Sequence, residues 1–145
     1  MATREPERVA AMVLVSATPY YPKQARAIMA AMTDEGRSAD EWQMMRARHA
    51  HGDDQIRALW RHANGFKDSY DDLTFTPPHL ATIRARTLIV YGDRDPLYPV
   101  ELAVEMYRAI PDAALWVVPG GGHGPIYAPA EREAFARVAS AFLDA

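Results

Sequence analysis

Two loops of the chain carry residues that could transfer protons. Asp95 lies in the segment Gly92–Pro96, and His123 lies in the segment Gly120–Pro125. Each segment follows a short apolar run, which is the position of a loop that leaves a buried strand. A carboxylate beside an imidazole fixes the tautomer of the ring and stabilises the imidazolium that forms when the ring takes a proton. The pair therefore predicts a general base, His123, that is oriented by an acid, Asp95.

The elements around these loops indicate an α/β fold. Three short segments, Val9–Val15, Thr87–Tyr91 and Leu115–Val118, are apolar almost throughout, as is typical of strands buried on both faces of a parallel sheet. Helical patterns begin near Pro99 and at Pro129. The predicted apolar face of the first helix comprises Val100, Ala103, Val104 and Tyr107. The order strand, helix, strand, helix predicts a parallel sheet with right-handed crossovers.

This topology predicts where the two candidate residues lie. Sites in open parallel sheets form at the carboxyl ends of the strands, and both loops leave such ends. One helix and one strand separate Asp95 from His123, so the two loops are expected to come from neighbouring strands. We expect the side chains within hydrogen-bonding reach, at about 2.6–3.2 Å. Asp93 is the rival for the acid role, and an Asp in such a turn can also serve only to stabilise it.

The stretch between the first two strands contains helical patterns instead of strand patterns. One helix is predicted after Pro22, a second after the capping box Ser38–Glu41, a third with Asp53 as its N-cap, and a short fourth after Pro77. We interpret residues 19–83 as a helical insertion into the α/β domain.

Composition and charge exclude several classes of protein. The 145 residues carry a net charge of −3 without a basic stripe, so nucleic acid is not an expected partner. The absence of cysteine removes disulfides, thiolate zinc sites and cysteine nucleophiles. The N-terminal residues do not resemble a secretory signal, and no apolar run is long enough to span a bilayer. We expect a cytoplasmic protein with no membrane partner.

A metal site is the second chemistry that the sequence suggests. The run His49–Asp54 resembles the His-x-His-x-Asp-His motif of metallo-β-lactamase-like hydrolases, but Asp54 stands where the last histidine would be. The other ligand-bearing segments of that family are not evident. The alternative is a helix end, a turn and the N-cap of the next helix, and we therefore expect no metal.

Three segments resemble the last two strands and the following loops of the α/β-hydrolase family: Arg86–Pro96, Ala114–Val118 and Gly122–His123. That family places its triad acid at the end of a Gly-x-x-Asp turn and its triad base after the last strand. The resemblance therefore implies that Asp95 is the acid and His123 is the base.

The resemblance covers the whole chain. Residues 2–9 are similar to the tail of the helix behind the nucleophile elbow, and Val9–Ala17 is similar to the sixth strand. The insertion 19–83 takes the place of the helical cap. Residues 1–145 are thus identified with the C-terminal half of an α/β-hydrolase domain, with parallel strands, covering helices and a cap.

The chain departs from the family at the nucleophile. The family's serine lies in a Gly-x-Ser-x-Gly elbow, and none of the four serines here has that context. Those serines are Ser16, Ser38, Ser69 and Ser140. The resemblance implies that the elbow would lie upstream of Met1. Ser16 ends the first strand on the side of the site, where it could cap or line the pocket, or could substitute as nucleophile.

The resemblance implies a serine hydrolase that acts on an ester, a lactone or a similar acyl compound without a cofactor. Candidate substrate-binding residues in the insertion are Trp42, Met45 and Trp60, which could also be core. The alternative is a non-catalytic, truncated or split half-domain that pairs with another chain. Either interpretation leaves the edge of Val9–Val15 without a partner strand, so we expect self-association or a partner chain there.

Overall fold

A computed structural model that describes residues 1–145 has an α/β fold in which helices cover a three-stranded parallel sheet. The strands are β1 (Ala11–Val15), β2 (Arg86–Gly92) and β3 (Ala113–Val118). The helices are α1 (Lys23–Ala30), α2 (Ala39–Arg48), α3 (Gly52–Gly65), α4 (Pro77–Leu80), α5 (Val100–Ala109) and α6 (Pro129–Asp144). Short 3₁₀ turns occupy Pro6–Arg8 and Pro125–Tyr127. No helix has the length and apolar character needed to cross a membrane.

The sheet has the order β1-β2-β3, and both neighbouring pairs are parallel. Val15 at the end of β1 lies opposite Val90, and Gly92 at the end of β2 lies opposite Val118. The carboxyl ends of all three strands therefore lie along one edge of the sheet. The loops after β2 and β3 leave this edge side by side, as the sequence predicts.

Burial distinguishes the central strand from the two outer ones. β2 is buried from Thr87 to Gly92, whereas every residue of β1 is only half-buried. Leu115, Trp116 and Val117 of β3 are likewise only half-buried. The prediction of burial on both faces is therefore wrong for Val9–Val15 and for most of Leu115–Val118, because β1 and β3 are edge strands that each pair with β2 alone. Strand β1 also begins later than predicted, since Pro6–Arg8 forms a helical turn.

Helices α5 and α6 pack on the two sides of β2. Ile89 and Tyr91 pack in one hydrophobic cluster with residues of α5. Leu88 and Val90 pack in a second hydrophobic cluster with residues of α6. The buried residues of α5 and its C-cap are Leu102, Ala103, Met106 and Ile110. The predicted apolar face of α5 is wrong at Tyr107, whose side chain is exposed. On α6, the apolar residues of one face are buried or half-buried, namely Ala134, Phe135, Val138, Ala139 and Phe142.

Residues 22–72 form one compact unit, and residues 1–21 with 73–145 form the other. The helical unit is thus narrower than the predicted insertion 19–83. The difference arises because the backbone carbonyl of Pro19 accepts a hydrogen bond from the Phe75 amide at 2.8 Å, and Tyr20 forms a bridge with Thr74. These contacts place both ends of the insertion in the unit that contains the sheet.

Of two helix N-termini predicted in the helical unit, the structure confirms one and contradicts the other. The capping box at Ser38 is confirmed, because its hydroxyl accepts from the Glu41 amide and the Glu41 carboxylate accepts from the Ser38 amide. The prediction that Asp53 caps α3 is wrong, since the helix already begins at Gly52. Both carboxylate oxygens of Asp53 instead accept hydrogen bonds from Arg46, each at 2.7 Å.

Candidate active site

The loops after β2 and β3 touch through their backbones. The amide of Arg94 donates to the carbonyl oxygen of Gly121 at 2.9 Å, and the α-carbon of Gly92 lies against the same segment. A Cβ atom on Gly92 would overlap the carbonyl oxygens of Gly121 and Gly122. The two loops can therefore meet only because residue 92 has no side chain.

Asp95 and His123 meet where these loops converge. The Nδ1 atom of His123 lies 2.9 Å from Oδ2 of Asp95, so the predicted hydrogen bond is confirmed. The Asp95 side chain is 0% exposed and the His123 side chain is 42% exposed. Because a carboxylate only accepts, this bond assigns the proton of the neutral ring to Nδ1 and leaves a lone pair on Nε2. The arrangement suits a general base that faces solvent or substrate.

The other oxygen of Asp95 stabilises its own turn. Oδ1 accepts hydrogen bonds from the backbone amides of Leu97 at 2.8 Å and Tyr98 at 3.0 Å. The Asp95 carboxylate thus contacts the His123 ring with one oxygen and stabilises its own turn with the other. Two fixed amide donors also prevent the carboxylate from rotating away from His123.

Tyr98 is a site residue that the sequence analysis missed. Its ring packs edge-to-face on the His123 ring, with centroids 5.4 Å apart and an interplanar angle of 73°. Burial raises the pKa of Tyr98, and the neighbouring Tyr21 and Asp95 raise it further, so the hydroxyl of Tyr98 is protonated at neutral pH. Its position three residues after Asp95 was the only available signal.

Asp93, the rival acid, has a different partner. It is exposed, and its Oδ1 accepts a hydrogen bond from the Gly120 amide at 2.6 Å. This bond joins the loops after β2 and β3 but does not involve the histidine ring. The geometry therefore favours Asp95 over Asp93 as the partner of the base.

Ser16 lies at the end of β1 with a φ of 46°, in the left-handed region. Its Oγ accepts a hydrogen bond from the Gly124 amide at 2.9 Å, and its own amide donates to the Val90 carbonyl at 2.9 Å. The Tyr91 hydroxyl donates to the next carbonyl, that of Ala17, at 2.8 Å. The Ser16 hydroxyl therefore contacts the loop of His123 at the backbone of Gly124, the residue after the histidine.

The candidate substrate-binding residues lie within the helical unit. The rings of Trp42 and Trp60 pack edge-to-face, with centroids 4.7 Å apart. Trp60 is only 8% exposed, which indicates a packing role, whereas Trp42 and Met45 are half-buried. Arg46 is stacked over Trp42 at 5.2 Å.

The residues of the possible metal motif do not converge. Asp53 is engaged by Arg46, and no group of three or more His, Asp or Glu side chains lies close enough to bind a metal ion. The structure therefore offers no ligand set at His49 and His51.

The sequence of the chain matches a known protein family. Residues 1–138 match the sequence profile described as the alpha/beta hydrolase family. A search of curated protein sequences finds no match.

Three solved structures illustrate the likeness. They are a meta-cleavage product hydrolase from Pseudomonas fluorescens IP01 (TM-score 0.67, 20% identity), 2-hydroxy-6-oxo-6-phenylhexa-2,4-dienoate hydrolase from Rhodococcus sp. strain RHA1 (0.75, 17%) and a putative non-heme bromoperoxidase from Mycobacterium tuberculosis H37Rv (0.66, 20%). The alignments cover 99%, 99% and 98% of this chain but only 58%, 58% and 60% of those proteins. The chain therefore spans less than two thirds of their length.

Proposed function

Since the chain belongs to the alpha/beta hydrolase family, we propose that it supplies the acid and the base of a serine hydrolase. The proposed substrate is an ester, a lactone or a similar acyl compound, and the proposed reaction uses no cofactor. The observation that carries this proposal is the 2.9 Å hydrogen bond between His123 and the buried carboxylate of Asp95. Buried carboxylates beside a partly exposed imidazole are the arrangement that acyl transfer requires.

The proposed reaction uses Nε2 of His123 twice. Nε2 takes the proton of a serine hydroxyl as that oxygen attacks the acyl carbon, and then gives this proton to the departing alkoxide. In the second half, Nε2 takes a proton from water, the hydroxide attacks the acyl-enzyme, and the proton returns to the serine oxygen. Asp95 accepts the hydrogen bond from Nδ1 throughout and stabilises the imidazolium that each step creates.

The nucleophile in this proposal is a serine of a Gly-x-Ser-x-Gly segment outside the 145 residues. None of the serines within them has that context, and the chain spans 58% of the two neighbouring hydrolases. A base is useful only against a positioned hydroxyl, and the oxyanion requires its own donors. We therefore propose that the 145-residue chain alone forms no acyl-enzyme.

The helical unit is the proposed source of substrate contacts. Trp42 and Met45 are half-buried and could contact an apolar acyl group, whereas the buried ring of Trp60 packs against that of Trp42. Some neighbouring structures are named as meta-cleavage product hydrolases and one as a bromoperoxidase, so the fold alone does not choose the substrate.

The test is hydrolysis of a panel of p-nitrophenyl esters and lactones by a longer form of the protein that carries the elbow segment. We expect turnover of at least one ester, and its loss on His123→Ala, because the general base is removed. His79→Ala is the matched control, since His79 is exposed and lies in α4. Full activity of His123→Ala would contradict the proposed role.

A second candidate function rests on the free edge of β1. We propose, as the alternative, a half-domain that pairs with another chain through this edge. The Ser16 amide donates a hydrogen bond to β2, and the Ala10 carbonyl accepts one from it. Because successive residues of a strand direct their backbone groups to opposite sides, those of Ala11, Val13 and Val15 lie on the unpaired side. All five side chains of β1 are half-buried, and such edges are templates for strand pairing.

We therefore expect concentration-dependent dimers or larger species of the 145-residue chain in sedimentation velocity. Val13→Pro should reduce association, because proline removes an amide on the free edge and leaves the bonds to β2 in place. A wild-type chain that remains monomeric at high concentration would reject the pairing surface.

A further inference from the structure

We propose that Ser16 is a positioning residue for His123. Its hydroxyl, in a strained conformation at the end of β1, fixes the backbone beside the histidine so that the imidazole stays on Asp95. This inference rests on the proposed function, because it assigns Ser16 a role in the alignment of the proposed base.

The loop of His123 needs restraint from outside. Glycines occupy positions 120, 121, 122 and 124, so the segment has few side chains of its own to restrict it. On the N-terminal side of the histidine, the loop after β2 supplies the bonds to Gly120 and Gly121. On the C-terminal side, Gly124 donates its amide to Ser16 Oγ at 2.9 Å. Ser16 thus restrains the residue directly after His123.

The backbone of Ser16 is the reason to assign this role to its hydroxyl. Ser16 is the one non-glycine residue of the chain with a positive φ, at 46°. Glycine would adopt this conformation with less strain, so what serine adds is the hydroxyl. The surroundings fix the conformation, because Ser16 is 6% exposed and Val90 and Tyr91 bond to the backbone of Ser16 and Ala17.

Ser16 acts through the backbone rather than as a nucleophile. Its Oγ is buried and accepts the Gly124 amide proton, while the hydrogen bond of the His123 ring goes to Asp95. No strained strand-to-helix turn of the elbow type follows Ser16, because the next helix begins only at Lys23.

The test compares Ser16→Gly and Ser16→Ala with the wild-type 145-residue chain by NMR. Glycine removes the hydroxyl and the strain, whereas alanine removes the hydroxyl and keeps the strain. We expect both variants to accelerate hydrogen exchange of the Gly124 amide by about tenfold, because each loses one hydrogen bond. We also expect both to broaden or abolish the resonance of the His123 Nδ1 proton. Ser140→Ala, on an exposed position of α6, should change neither signal.

The Ser16→Gly variant distinguishes the effect of losing the hydroxyl from a general loss of stability. If Ser16→Gly keeps wild-type exchange at Gly124 and a sharp Nδ1 resonance, the proposal is overturned, even if Ser16→Ala is impaired. These signals do not depend on turnover, so they report the positioning independently of the ester assay. In a longer form that hydrolyses an ester, Ser16→Gly should lower kcat by more than it changes KM.

Discussion

Replacing Gly92 with alanine is expected to lower the free energy of unfolding by about 3 kcal/mol or more, because the added methyl group has no space. A Cβ atom there would overlap the backbone carbonyls of Gly121 and Gly122. Backbone atoms cannot rotate aside as a flexible side chain can, so the loops after β2 and β3 must separate. Their separation would also pull His123 away from Asp95.

Urea unfolding measures this effect, and Gly122→Ala provides a matched control in the same pair of loops. A Cβ atom on Gly122 meets no atom within 4 Å, and its φ is not in the left-handed region. We expect that control to stay within about 0.5 kcal/mol of wild type, as surface substitutions usually do. Equal stability of the Gly92→Ala and Gly122→Ala variants would show that the two loops do not touch as described.

Asp95→Asn is expected to lower kcat by roughly 10⁴-fold in a form of the protein that hydrolyses an ester, by analogy with the effect in other Ser-His-Asp enzymes. The amide oxygen can still accept from the amides of Leu97 and Tyr98, so the turn is retained. The amide nitrogen then faces Nδ1 of His123 as a donor and favours the tautomer with the proton on Nε2. A ring in that tautomer cannot take the serine proton.

Asp93→Asn is the control, because it makes the same chemical change two residues away. The asparagine oxygen can still accept from the Gly120 amide, so we expect kcat to fall by less than about tenfold. Initial-rate kinetics on both variants give the comparison. Equal losses at the two positions would remove the reason to assign the acid role to Asp95.

The proximity of Asp95 and His123 could be predicted from the sequence because strand order places their two loops side by side. Asp95 and His123 follow consecutive strands of a parallel sheet, and that topology places them at one edge. β2 was likewise recognisable, since a continuous apolar run is typical of a central strand. The same pattern failed for β1 and β3, because an apolar run does not reveal whether a strand has one neighbour or two.

Contacts between distant segments could not be predicted from local patterns. The Ser16 hydroxyl meets the Gly124 amide 108 residues later, and neither the positive φ of Ser16 nor this approach leaves a signal in the sequence. The Asp53 carboxylate could either cap a helix or pair with Arg46, and in the structure it pairs with Arg46. On α5, the phase of the apolar face was ambiguous, and the fold buries Met106 and exposes Tyr107.

Labelling with a serine-directed fluorophosphonate distinguishes a chain that supplies the acid and the base, as we propose, from one that also contains the nucleophile. The 145-residue chain and the longer form with the elbow segment are compared under identical conditions. We expect that only the longer form is labelled, that changing its elbow serine abolishes labelling, and that His123→Ala slows it strongly. Stoichiometric labelling of the 145-residue chain would show that it contains its own nucleophile and would make Ser16 the first residue to replace.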